Sequence, residues 1–314
     1  AFRPGLNQFM CATETSGVIL WNAVESRQEG RLPVHDGLVY GIAFDRLGTR
    51  MASAEASGLV RVWSMAEGRS LGVLKGHQGW AGSVVFSQDG QMLASAGEDG
   101  LIRIWSVAAE PLTDAKPLRV LKGHEGAVNG LGFREDGRLL ASAGEDGTVR
   151  LWDLQDSSDR SGRILHQHQQ AVRCVAFQPG KNVLAASGAD RTVRLWDLGD
   201  GHEIRRFGEF GNRVDGLAFT SDGGKLATAG LDHSVKIWDV SSGRQIVSFP
   251  GHAAPVFSVS FSSDDTLLAS ASQDSVVKVW DVNSEPGVRL LSLNAAGEES
   301  GSPTSRWEIG RAHV

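Results

Sequence analysis

Cysteine is scarce in this chain: 314 residues hold two, Cys11 and Cys174. Two thiols, each inside an alternating apolar–polar segment, make neither a disulfide framework nor a metal-ligand cluster. No metal is expected, and a reducing, cytoplasmic setting is. Long apolar runs are also missing. No stretch approaches the roughly 20 residues of a membrane-spanning helix, so no membrane partner is expected. Basic clusters are absent, net charge is −6 and pI is ≈ 5.9. A surface without concentrated positive charge argues against nucleic acid as the main partner. Methionine is rare (4), there is a single tyrosine, Tyr40, and no segment carries a long helical pattern. The composition, 41% hydrophobic and 22% charged, suits a soluble all-β domain able to bury a substantial core.

Tryptophan is present and recurs. Trp21, Trp63, Trp105, Trp152, Trp196, Trp238 and Trp280 follow one another at gaps of 42, 42, 47, 44, 42 and 42. A phenylalanine sits nineteen residues before each, at 2, 44, 86, 133, 177, 219 and 261. Seven copies of one unit predict a repeat architecture. Each Trp closes a period-two run such as Thr148-Val149-Arg150-Leu151-Trp152, which reads as a strand. Two more short runs precede it, separated by turn segments such as Gly144-Glu145-Asp146-Gly147, and a weaker one follows. One unit is therefore four short antiparallel strands. A lone sheet of this kind has two apolar faces to bury, and seven arranged radially bury them against each other. The longer insertions, Ala108 to Pro117 and Gln155 to Arg163, fall after a Trp, where a loop can grow without moving the sheet.

Trp-Asp at 152–153, 196–197, 238–239 and 280–281, with Gly-His at 76–77, 123–124 and 251–252, resembles the WD40-repeat family over roughly residues 1–293. The resemblance implies an all-β, seven-bladed β-propeller of four-stranded antiparallel blades, with regular repeats like those of bacterial members. It also implies a buried hydrogen-bonded chain in each blade that carries the full polar set. Three blades do: His77, Ser95, Asp99, Trp105; His124, Ser142, Asp146, Trp152; and His252, Ser270, Asp274, Trp280. The donor and acceptor inventory suits such a chain. A catalytic triad is rejected because the set repeats in several blades and no Gly-x-Ser-x-Gly elbow exists. Four blades depart. Ala186 takes the Ser place before Trp196, Phe210 the His place before Trp238, and Ser57 the Asp place before Trp63; the first blade has Cys11 and Thr15. These blades are expected to be softer.

Ala1-Phe2-Arg3-Pro4-Gly5 aligns with Ala176-Phe177-Gln178-Pro179-Gly180, the end of an innermost strand. The first blade is thus expected to start mid-strand, with β-sheet left open at the channel wall, and a chain extended upstream by a strand to melt higher. Residues 294–314 read as a polar disordered tail, and Glu308 to Val314 resemble a read-through product.

Function is sought in what does not repeat. In WD40 proteins partners often dock on the face rimmed by the loops entering the innermost strands. By that resemblance, the positions three and five past the His, and the one before the blade Asp, face partners. The partner-binding candidates are Leu38, Tyr40, Trp80, Glu98, Asn129, Glu145, Arg173, Arg213, Asp215, Leu231, Phe257 and Gln273, with Glu14 at the equivalent place in the first blade. Tyr40, Trp80 and Phe257 sketch an aromatic arc, with Arg173 and the Arg213/Asp215 pair opposite. Aromatic anchors with nearby Arg are the makings of a binding hot spot. The expected function is a non-catalytic scaffold for a protein or peptide, without cofactor, monomeric within a larger chain or complex. Two alternatives are a ubiquitin-ligase substrate receptor, weakened because Trp-Asp-x-Arg never occurs, and a propeller enzyme with a central-channel site.

Overall fold

The computed structural model describes residues 1–13, 17–32, 35, 37–112, 115–156, 162–208, 210–283 and 289–294. Glu14, Thr15, the middle of the second insertion and the tail after Asn294 lie outside the described residues.

Among the described residues there are strands and no helix, gathered into seven antiparallel sheets. Six sheets have four strands. The seventh, made of β1 (Gln8–Thr13), β2 (Gly17–Asn22) and β3 (Arg27–Arg31), has three. The chain runs outward through each blade. In the second blade it passes from Val39–Phe44 to Arg50–Glu55, Val60–Ser64 and Ser70–Leu74. The innermost strands of successive blades, from the second to the seventh, lie side by side around the axis. This is the seven-bladed propeller, and blades are numbered below in chain order.

The register explains the nineteen-residue interval. One residue of each second strand pairs with the Phe on one side and the Trp on the other. Leu93 lies between Phe86 and Trp105, Leu140 between Phe133 and Trp152, and Leu226 between Phe219 and Trp238. Phe9 holds that place between Phe2 and Trp21. The interval is fixed because three strands must meet at one cross-strand row.

Second strands such as Met92–Gly97 and Lys225–Gly230 are buried on both faces after their first residue, and are built largely of Ala, Ser and Gly. Small side chains let neighbouring sheets approach, so these strands lose the alternation seen in the outer ones. Seven apolar clusters form the core, each between two adjacent blades and each holding one repeat Trp. Burying a side chain of that size contributes about 2–3 kcal/mol. Blade one closes the ring by packing: Phe2, Phe9 and Trp21 meet Ala269 and Val279 of blade seven, and Met10 and Val18 meet Met51 and Trp63 of blade two. The first insertion is used structurally, since Leu112 N–H donates to Leu71 O at 3.0 Å and the side chain joins the core between blades two and three.

Candidate functional site

The polar chain inside the blades is present as the resemblance implied. In blade three the Trp105 indole N–H donates to Ser95 Oγ at 2.9 Å, Ser95 Oγ lies 2.8 Å from His77 Nε2, and His77 Nδ1 lies 3.0 Å from Asp99. Blade four repeats it with 2.9, 2.7 and 3.0 Å, and blade seven with 2.9, 2.8 and 2.9 Å. Each group is satisfied once if the imidazole is neutral, with Nδ1–H donating to Asp and Nε2 accepting from Ser. Burial holds His77, His124 and His252 below the ordinary histidine value, and the Asp partner offsets this only in part. The Asp carboxylate also accepts from the backbone that enters the inner strand: Gln78 N–H on Asp99, Glu125 N–H on Asp146, Ala253 N–H on Asp274. The tetrad thus fixes the loop leading into the inner strand.

A further member was missed from sequence. A cation two residues before the Trp reaches the blade carboxylate in several blades: Arg103 to Asp99 at 2.8 Å, Arg194 to Asp190 at 3.2 Å and Lys236 to Asp232 at 3.6 Å. The signal was legible, because Arg or Lys stands there in every blade from the second to the seventh. The departing blades differ in how they compensate. In blade two Glu55, fully buried, accepts from Ser57 Oγ at 3.2 Å and Arg61 Nε at 2.6 Å, so a carboxylate is supplied from two residues upstream of the expected place. In blade six Phe210 packs on Trp238 at 5.4 Å between ring centroids, and Lys236 lies over the Phe ring. Blade five has no substitute for the missing hydroxyl: His168 Nε2 and Trp196 Nε1 are buried without a hydrogen-bond partner.

Near their first residues the innermost strands share a β-bulge. Pairing skips one residue in each blade from the second to the seventh: Tyr40, Gly82, Asn129, Arg173, Asp215 and Phe257. These are the positions five past the His. A bulge frees a residue from the ladder and re-aims its side chain. The positions three past the His are tied by backbone to the residue before the blade Asp. Glu98 N–H donates to Trp80 O at 3.0 Å, Glu145 to Ala127 at 2.8 Å, Leu231 to Arg213 at 3.0 Å and Gln273 to Pro255 at 2.9 Å; Ala56 reaches Leu38 at 2.8 Å. The three classes of predicted position therefore meet at one place in each blade from the second to the seventh.

Tyr40 and Trp80 touch edge to face, with centroids 5.9 Å apart. Trp80 covers the bulge of its own blade, since a Cβ on Gly82 would lie 2.4 Å from its ring. Tyr40 is 54% exposed and Phe257 43%, and both line a cavity of about 340 Å³ between blades seven and two. Leu38 is exposed beside them. On the far side Glu145 joins two blades, accepting from Asn129 Nδ2 at 3.1 Å and Arg173 Nη1 at 3.2 Å. Arg213 and Asp215 pair with each other at 2.9 Å. Phe257 is set apart from the Tyr40–Trp80 pair by the width of that cavity.

A family model described as WD domain, G-beta repeat matches residues 26–64, 68–106, 115–153, 160–197, 201–239 and 243–281. Each match begins with or just before the outer strand of one blade and ends on the Trp strand of the next. No curated protein matches the chain.

Proposed function

The chain belongs to the WD40-repeat family, whose propellers are generally protein-interaction scaffolds and typically not enzymes, and from that premise we propose that it is a non-catalytic scaffold that captures a peptide or protein segment on its bulge face. The observation that carries this is the bulge. At the same point of six inner strands the fold turns one residue out, and those residues differ from blade to blade while the residues around them repeat. Tyr40, Trp80, Phe257 and Leu38 supply apolar anchors, and Asn129, Glu145, Arg173, Arg213, Asp215, Glu98, Leu231 and Gln273 supply the surround. Large aromatics at low entropy cost, ringed by polar groups, suit a hot spot. The scaffold works in the cytoplasm, as one module of a larger polypeptide or complex.

Selection of a displayed peptide library on the intact protein tests this. Selected peptides should bind the Tyr40→Ala/Trp80→Ala variant at least tenfold more weakly, as expected when an aromatic anchor is lost. The melting temperature should stay unchanged, and Ile246→Ala on an outer strand should leave binding alone. Selected peptides that bind the double variant as tightly as the parent would sink the reading.

A further inference from the structure

The bulge face is not evenly charged, and its backbone shows where the charge is held. In blades two to seven the residue just after the Asp place lies in the left-handed region. Blades two, three and four put glycine there: Gly58, Gly100 and Gly147. A Cβ on these would meet the loop entering the next blade, at 2.5 Å from Gly79 O, 2.8 Å from Gly126 O and 3.0 Å from His168 O. Blades five, six and seven put side chains there instead: Arg191 at φ 61°, His233 at 65° and Ser275 at 62°. An L side chain takes this backbone only under strain that glycine does not feel. A strained residue that glycine would relieve points to work done by its side chain. Arg191 and His233 are exposed, and neither side chain has a hydrogen bond or ion pair among the described residues.

The opposite charge stands on the neighbouring blades. The place before the blade Asp holds Glu98 and Glu145 in blades three and four, against Ala189, Leu231 and Gln273 in blades five to seven. Glu125, next to His124, adds a third exposed carboxylate. Glu98 sits against the aromatic pair, where its carboxylate accepts from Trp80 N–H at 3.2 Å. Neither Glu98 nor Glu125 has a cation partner among the described residues. Lys75 and Lys122 stand at the ends of outermost strands, on the other edge of the sheet from the inner strand. At the border the two halves neutralise each other, since Arg173 Nη1 reaches Glu145 at 3.2 Å. Arg213 is paired with Asp215. Glu98 and Glu125 are left over on one side, Arg191 and His233 on the other.

We propose that the occupant of the bulge face is a segment of a partner protein with separated charges, Lys or Arg at one end and Asp or Glu at the other. It lies across blades three to six, its cation at Glu98 and Glu125 beside Trp80 and its carboxylate at Arg191 and His233. This rests on the bulge-face reading and adds the charge order of the partner. The cation meets a carboxylate and an indole together. Complementary rim charges fix register and suppress wrong partners. Reversed, the segment would set like charges together at both ends, so the face accepts it one way round.

Peptides selected on the intact protein from a displayed random library are the probe. They should carry the cation and the acid in one fixed order, and added salt should weaken their binding. Glu98→Lys/Glu125→Lys should weaken a selected peptide by about tenfold, and Arg191→Glu likewise. Exchanging the peptide's acid for Lys should restore binding to the Arg191→Glu variant, a rescue that a merely structural arginine would not give. Arg191→Gly should weaken binding without lowering the melting temperature, because glycine takes this φ freely. A lower melting temperature would make Arg191 a structural residue and overturn the assignment. Binders that depend on Tyr40 and Trp80 but show no charge order, or ignore both charge reversals, overturn this proposal and leave the bulge-face reading standing. A library that yields no binder overturns both.

Discussion

Single residues decide how complete each blade's polar chain is. Blade five keeps His168 and Asp190 at 3.0 Å but has Ala186 where a hydroxyl stands in blades three, four and seven. A donor on Trp196 and a nitrogen on His168 are left buried without a partner. A buried polar group without a partner costs about 1–3 kcal/mol, and a hydrogen bond regained returns about 1. Ala186→Ser is therefore expected to stabilise the protein by about 1–2 kcal/mol, read as a shift of the urea midpoint. A midpoint that stays or falls would show that the site already has another solution. The loss was legible in the sequence from the offset to Trp196. Glu55 was not, because the offset pattern looks six residues before the Trp and this carboxylate sits eight before it. Its role emerges only where the strand brings it against Ser57 and Arg61.

At the scale of the strand, the bulge governs what the innermost strands display. Gly82 is the one bulge residue without a side chain, and Trp80 fills its place. Its backbone lies outside the left-handed region, so a substitution there displaces the indole rather than straining the chain. Gly82→Val should push Trp80 off Tyr40 and weaken capture of a bulge-face peptide by about tenfold, on the order of one hot-spot contact. Thermal stability should change little. Binding equal to the parent's would mean that the Tyr40–Trp80 pair is not the anchor. Strand number, strand order and the Phe–Trp register were all readable from spacing, since a cross-strand row has a fixed length along the chain. The bulge was not readable. It is a mismatch between two strands, and neither strand records it alone. The offset from His that the family resemblance supplied falls on these bulged residues, and the structure supplies the reason they protrude.

Three of the seven blades are held from within by a buried imidazole. His77, His124 and His252 have their values lowered by burial, below the 6.5 expected of the unfolded chain. The unfolded state therefore takes up protons first as pH falls. This contribution to stability is whole above about pH 6.5 and is lost as pH drops through the folded values. Burial raises Asp99, Asp146 and Asp274, but their hydrogen bonds and imidazole neighbours prevail and hold them below the ordinary 3.8, so a second loss follows below about pH 4. The urea midpoint should be lower at about pH 5.5 than at about pH 7.5. This difference should shrink in His77→Phe/His252→Phe, a pair of changes that copies the Phe210 solution of blade six. A midpoint flat across that interval would contradict buried neutral histidines. The bulge has one more consequence at this scale. Since the protruding residue takes no part in pairing, it can mutate without shifting register or opening the core. Under the proposed function the fold separates the letters a partner would read from the grammar that keeps the chain folded, and descendants could acquire new specificities one blade at a time at almost unchanged stability.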